Sequence, residues 1–89
     1  MRINVRAFAS FREILGREIL LDLQEGSTVQ DLLQVLAAGD EKFREAAFDG
    51  SGAVRDYVLL MKNKKRIDSP HEELSPGDEV AIFPPVAGG

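Results

Sequence analysis

Leu74-Ser75-Pro76-Gly77-Asp78-Glu79-Val80-Ala81-Ile82-Phe83-Pro84-Pro85-Val86-Ala87-Gly88-Gly89 is the stretch whose reading fixes the arrangement of the rest. Ser75-Pro76-Gly77-Asp78 is a turn, because proline presets one backbone angle and glycine accepts a positive φ without steric cost. Glu79-Val80-Ala81-Ile82-Phe83 then reads as a strand, expected in the middle of a sheet and parallel to the first strand of the chain. Pro84 ends it, since proline has no N–H to give to a ladder. Pro84-Pro85 also holds the following residues near polyproline II, extended and stiff. Residues 84–89 are therefore expected to form a tail that reaches on the order of 20 Å beyond a folded domain spanning residues 1–83.

The tail finishes on Gly88-Gly89. Glycine makes up about 7% of ordinary sequence, so a chance pair at one end arises in roughly 0.5% of chains. A stiff stem with a tip free of side chains suits insertion into a narrow active site of another protein, where backbone must approach a reacting group closely. The carboxylate of Gly89 is the expected reactive group, activated as an acyl group by ATP. Gly88 is the residue that lets it pass.

Composition narrows the alternatives. The chain has 89 residues, 44% hydrophobic and 29% charged, which is the profile of one small globular domain. The net charge of −4 argues against nucleic acid as a partner. The basic run Lys62-Asn63-Lys64-Lys65-Arg66 reads as a solvated hairpin turn. With no cysteine, disulfides, thiol catalysis and thiolate metal sites are excluded. His71 lies in the polar loop Ser69-Pro70-His71-Glu72-Glu73, without the converging groups that a catalytic or metal site needs. Gly50-Ser51-Gly52 lacks the lysine of a phosphate-binding loop. No apolar run has transmembrane length and no basic region leads into an apolar one, so the expectation is a cytoplasmic protein without a membrane partner.

Earlier in the chain, residues 2–8 alternate apolar and polar and predict a half-buried strand. Phe11, Ile14 and Leu15 precede Gly16 at helical spacing, giving a short helical turn. Ile19-Leu20-Leu21-Asp22-Leu23 is a second strand, antiparallel to the first. After a turn at Gln24-Glu25-Gly26, a capping box at Thr28 and Asp31 (or Ser27 and Gln30) starts an amphipathic helix over 29–38. Residues 41–48 predict a shorter helix, and Asp49-Gly50-Ser51-Gly52 is the expected loosest internal point. Tyr57-Val58-Leu59-Leu60-Met61 is the strongest strand, its continuous apolar run fitting a central position. Arg66-Ile67-Asp68 is its short partner. This order, ββα, a short helix, then βββ, is that of an α+β, ubiquitin-like β-grasp: a mixed sheet of about five strands wrapped around one main helix.

The Leu74–Gly89 block, and above all Phe-Pro-Pro-Val-Ala-Gly-Gly, resembles the MoaD family, the sulfur-carrying small subunit of molybdopterin synthase. Phe8-Ala9-Ser10-Phe11-Arg12-Glu13-Ile14-Leu15-Gly16 and the helix opening Gly26-Ser27-Thr28-Val29 resemble the same family. ThiS, the related thiazole sulfur carrier, is less similar, being usually shorter and lacking the double proline. The resemblance implies that an E1-like, MoeB-like enzyme adenylates Gly89 with ATP and that a sulfur donor displaces AMP to leave a thiocarboxylate. A MoaE-like large subunit then uses the sulfur to complete the pyranopterin. The protein is on this view a consumable cosubstrate rather than an enzyme, with no metal and no stably bound cofactor.

The resemblance also implies a docking surface made by Phe83, Pro84, Pro85, Val86 and Arg12, with Phe83 in hydrophobic contact with the partner and Arg12 paired with its acidic residues. Phe83 has a second reading as a core residue of the last strand, and Arg12 as a solvated helix arginine. Two positions depart from the family: Asn63 is not followed by glycine, and Arg66 stands where an aliphatic residue is usual on the partner-facing sheet. Archaeal ubiquitin-like modifiers share the Gly-Gly end and give the alternative, attachment of Gly89 to lysines of target proteins. Sulfur transfer for thiamine or tRNA thiolation is a further alternative.

Overall fold

The computed structural model describes residues 1–84, in the order β1 (Arg2–Ala7), α1 (Ala9–Leu15), β2 (Glu18–Asp22), α2 (Val29–Gly39), α3 (Glu41–Ala47), β3 (Leu59–Lys62), β4 (Lys65–Arg66) and β5 (Glu79–Phe83). The strands form one sheet ordered β2-β1-β5-β3-β4. β5 is central, parallel to β1 and antiparallel to β3, while β2 and β4 pair antiparallel at the two sides. This is the β-grasp arrangement expected from the sequence. No helix among the described residues is long and apolar enough to cross a membrane.

Strand alternation separates the two faces of the sheet. Ile3, Val5 and Ala7 of β1 and Val80 and Ile82 of β5 point inward and are fully buried. They share a core with Val29, Leu32, Leu33 and Leu36, which recur along α2 at helical spacing. Phe11 of α1 meets Phe43 of α3 with ring centroids 5.2 Å apart, closing one end of that core. Truncating a side chain such as Leu32 would remove about 2–5 kcal/mol, a large part of what a domain of this size has.

Helix α2 starts where the sequence places it. The Thr28 hydroxyl accepts from the Asp31 N–H, and the Asp31 carboxylate accepts from the Thr28 N–H, completing the capping box. The next unpaired N–H groups of this helix are met by the returning chain: Val29 N–H donates to Glu72 O at 3.0 Å and Gln30 N–H to Pro70 O at 2.7 Å. Lys62 Nζ, 2.8 Å from Glu72 Oε2, ties that returning segment to β3. The hydrogen bond that Lys62 donates to the Glu72 carboxylate is what raises the Lys62 pKa.

Two strand assignments are corrected by the structure. β3 begins at Leu59 rather than Tyr57, which is 50% exposed, and it lies beside the centre of the sheet rather than at it. Its continuous apolar run does not come from burial on both faces. Leu60 points into the core, while Leu59 and Met61 are half-buried on the outer face. Its partner β4 is Lys65–Arg66, not Arg66–Asp68, because the connecting turn is the tight pair Asn63-Lys64 with φ of 51° and 69°. Positive φ at both central residues is the mirror-image hairpin geometry, which asparagine tolerates and lysine adopts at some cost.

The Asp49-Gly50-Ser51-Gly52 turn is organised by one carboxylate. Asp49 Oδ1 accepts from the Ser51 N–H at 2.8 Å, the Ser51 hydroxyl at 2.6 Å and the Ala53 N–H at 3.2 Å. These bonds, led by that of the Ser51 hydroxyl, lower the Asp49 pKa.

Asp78 joins three parts of the sheet. Its carboxylate accepts from Asn63 Nδ2 at 2.9 Å and from the Ser75 N–H at 2.8 Å, and its carbonyl accepts from the Asn4 N–H at 3.0 Å. Asn63 Oδ1 in turn accepts from the Glu79 N–H at 3.0 Å. Burial pushes the Asp78 pKa up, but the Asn63 amide, the Ser75 N–H and the nearby Lys62 charge outweigh it, so the net shift is downward. A carboxyl with a depressed folded pKa stabilises the fold above its unfolded value of about 3.9, and that contribution disappears as pH falls through the lower folded value. Asp78→Ala is expected to cost about 2 kcal/mol at pH 7, because two donors lose their acceptor. Urea unfolding between pH 2 and pH 7 checks this. The wild type should lose more stability than Asp78→Ala on acidification below about pH 4, and parallel pH profiles would contradict the role given to Asp78.

Candidate functional site

The outer face of the sheet carries the candidate site. In the parallel ladder Ala7 of β1 pairs with Ile82 of β5, so the next residues, Phe8 and Phe83, leave the sheet side by side. Their rings stack 4.4 Å apart with 10° between their planes. The Phe8 N–H donates to Ile82 O at 3.2 Å, which extends the ladder to the last residue before the helix. Leu59 stands opposite Phe83 on the other side of β5, and Met61 opposite Ala81, so the half-buried side chains of both strands form an apolar strip. Pro84 follows Phe83 without continuing the strand, as expected from its missing N–H. Pro85, Val86, Gly88 and Gly89 lie outside the described residues.

Phe83 is not the core residue of its second reading. It points away from the core, which its neighbour Ile82 enters with no exposed surface. Yet it is only half-exposed, because Phe8 covers one face of its ring. Arg12 is likewise not a freely solvated helix arginine. Its Nε donates to Ala7 O at 3.3 Å, and its guanidinium carbon sits 5.5 Å from the centre of the Phe8 ring. The structure thus brings Arg12, Phe83 and Pro84 to one end of the sheet.

Phe8 is the site residue that sequence reasoning missed. Its signal lay in parity, since two parallel central strands that end together must place their last residues side by side. Phe8 is held by an unusual backbone, for Ala9 immediately after it has φ of 52°. A non-glycine residue in that region stores on the order of 1 kcal/mol, and here the strain turns the chain sharply from β1 into α1 beneath the aromatic pair.

Elsewhere the outer face holds charge. Arg66 is exposed and pairs with Met61 across the hairpin. His71 is exposed, and its N–H donates to the Ser69 hydroxyl at 3.1 Å. Among the described residues no group of three or more His, Cys, Asp or Glu side chains is placed to hold a metal ion.

The stack makes a measurable claim. A double-mutant cycle on Phe8→Ala and Phe83→Ala, followed by denaturant unfolding, is expected to give a coupling of about 0.5–1.5 kcal/mol. Phe83→Ala alone should cost about 1–2 kcal/mol, between the values for a surface and a core phenylalanine. Additive effects of the two substitutions would contradict the stacked arrangement.

Comparison with known proteins gives this geometry a family. The family model described as the ThiS family matches residues 5–89. Small archaeal modifier protein 3 of Haloferax volcanii is 35% identical, with 100% of both chains covered. A molybdopterin synthase sulfur carrier subunit of Escherichia coli is 36% identical, over 98% of this chain and 99% of that protein. The crystal structure of SAMP1 from Haloferax volcanii matches with a TM-score of 0.90 at 29% identity, again covering 100% of both chains. Matched from Val5 to its last residue, the chain belongs to the ThiS family, among relatives of the MoaD kind that the sequence resembles.

Proposed function

We propose that this protein is a sulfur carrier whose Gly89 carboxylate is activated and converted to a thiocarboxylate. A carboxylate oxygen of Gly89 attacks the α-phosphorus of ATP in an adenylating partner, and pyrophosphate leaves. Hydrosulfide, the sulfur nucleophile that needs no reductant, then attacks the acyl carbon, and AMP leaves. In the reading favoured here, the thiocarboxylate enters a large subunit of the MoaE kind, its sulfur displaces an oxygen group from a carbon of a pyranopterin precursor, and water cleaves the acyl–sulfur bond to return the Gly89 carboxylate. The protein is small subunit and cosubstrate, and the groups that catalyse each step belong to its partners. ATP is consumed by the adenylating partner and not held by this chain.

The observation that carries this reading is where the Gly-Gly end originates. It follows β5, which is hydrogen-bonded on both sides, to β1 and to β3. A tail drawn from an edge strand would fray when pulled into a channel, whereas a central strand transmits the pull to the whole core. Next to the stem stands the aromatic and apolar strip of Phe8, Phe83, Leu59 and Met61, with Arg12 beside it. Aromatic rings and arginine at a small apolar patch are the composition of binding hot spots. In this reading Phe83, Pro84 and Arg12 contact the partner, Pro85 and Val86 line the entrance to its channel, and Gly88 and Gly89 pass inside.

A second reading has its own support, the match of Small archaeal modifier protein 3 across the full length of both chains. In it a lysine amine of a target protein attacks the same acyl adenylate, AMP leaves, and an isopeptide bond results. Both readings share activation of Gly89.

The test is intact-mass analysis after incubation with the cognate adenylating enzyme, ATP and a sulfur source. One oxygen replaced by one sulfur, mapped to Gly89, is the expected product, and Gly88→Val should abolish it by bulk in the channel while leaving the fold intact. Sulfur on an internal residue, or full activity in Gly88→Val, would contradict the carrier reading. Diglycine remnants on lysines of other proteins, without sulfur transfer to a pterin, would favour the second.

A further inference from the structure

We infer that Arg6 joins Arg12 in a carboxylate-recognising site built over the Phe8 ring, which selects a protein partner that sets acidic side chains beside an apolar patch. The inference deepens the proposed function and rests on the outer face of β1, β3 and β5 being the docking face.

Strand parity places Arg6 on that face, in register with Ala81 of β5 and Glu18 of β2. Ala81 contributes only a methyl group, so the long Arg6 side chain lies along the sheet, and its guanidinium carbon comes 5.9 Å from the centre of the Phe8 ring. Arg12 reaches the same ring from α1, at 5.5 Å. Two guanidinium groups thus converge on one aromatic side chain at the stem of the tail.

Among the described residues neither cation is in an ion pair. Glu18, the carboxylate nearest to Arg6 in register, accepts instead from Asn4 Nδ2 at 3.1 Å. Among the described residues the basic side chains in ion pairs are Arg2, Arg44 and Lys62, and neither Arg6 nor Arg12 is among them. The Nε of Arg6 is buried and has no hydrogen-bond partner, whereas that of Arg12 is satisfied by Ala7 O. An aromatic ring attracts a cation but cannot accept the planar fork of N–H groups that a guanidinium presents. The complement of a guanidinium's N–H groups is a carboxylate, and each of the two cations gathered at this ring can take one through its terminal Nη groups. A protein surface fits better than a phosphate backbone, because the cations border the apolar strip of Phe83, Leu59 and Met61 on a chain of net charge −4.

The test uses the full chain, labelled so that arginine Nε–H signals are visible by NMR. The probe is the peptide acetyl-Glu-Leu-Glu-amide, with acetyl-Gln-Leu-Gln-amide as the neutral control. The expected result is weak, saturable binding of the acidic peptide alone, with the largest shifts at Arg6 and Arg12 Nε–H and at the Phe8 and Phe83 amides. Arg6→Gln should weaken it at least about threefold and Arg6→Glu should abolish it, with Arg6→Lys intermediate because it keeps the charge but not the fork. Arg2→Gln, which removes a cation already paired with Asp22, should leave it unchanged. Thermal midpoints of all variants verify folding. Unchanged affinity in Arg6→Gln, equal shifts with the neutral peptide, or tighter binding of a deoxythymidylate decamer would overturn the inference. Acid binding without any thiocarboxylate at Gly89 would sink the carrier reading alone, and a thiocarboxylate without acid binding would sink this inference alone.

Discussion

The parallel pairing of β1 with β5 is the contact on which the rest of the structure depends. It joins the first and last strands of the domain through Asn4 with Glu79, Val5 with Val80, Arg6 with Ala81 and Ala7 with Ile82. Parallel strands cannot be joined by a hairpin, so everything between them must form the crossover. The helices α1, α2 and α3 and the strands β2, β3 and β4 all lie within it. At its beginning the pairing is locked by the Asn4 N–H to Asp78 O and the Gly77 N–H to Arg2 O bonds, each 3.0 Å. At its end it delivers Phe8 and Phe83 to the same place. One register therefore sets both the core on the inner face and the aromatic stem on the outer one. A slip by a single residue would turn Ile82 outward and Phe83 into the core.

The tail and the face next to it divide the chemistry between them. The reacting atom is proposed to be the carboxylate of the last residue, which needs no catalytic side chain from this chain. The rest of the molecule presents, orients and identifies. The proposed docking face carries Arg6, Arg12 and Arg66 around its apolar strip although the chain is acidic overall, and these cations favour approach by that face to an acidic partner. Arg66 departs from the aliphatic residue usual at its position in the resembled family. Held on the hairpin that Asn63 and Asp78 pin to β5, it adds a third cation across the apolar strip from Arg6 and Arg12.

Most of the fold was legible in the sequence because its signals were local and strong. The capping box at Thr28 and Asp31, the helical spacing from Val29 to Leu36, the alternation in β1 and the proline stop at Pro84 each have one structural solution. The sequence also pointed to the position of β5, through the order of elements rather than through any single residue. What misled was the apolar run from Tyr57 to Met61. Burial on both faces and burial on one face beside an apolar docking strip give the same composition, and only the sheet order separates them. Of the site, the Gly-Gly end could be singled out from its own residues, and Phe83 and Arg12 from the resemblance to a carrier family. Phe8 and Arg6 could not, because their importance comes from register across β1 and β5, a long-range contact that no local pattern encodes.

The outer face around the Phe8–Phe83 pair is proposed to dock the partner that receives the tail. Hydrogen–deuterium exchange of the protein, alone and with its adenylating enzyme in the absence of ATP, tests it most directly. Protection on binding is expected on the ends of β1 and β5, on the turn into α1 and on β3, with α2 and α3 unchanged. Protection confined to the groove between the ends of α2 and α3, lined by Ala37, Arg44, Phe48 and Arg55, would contradict it.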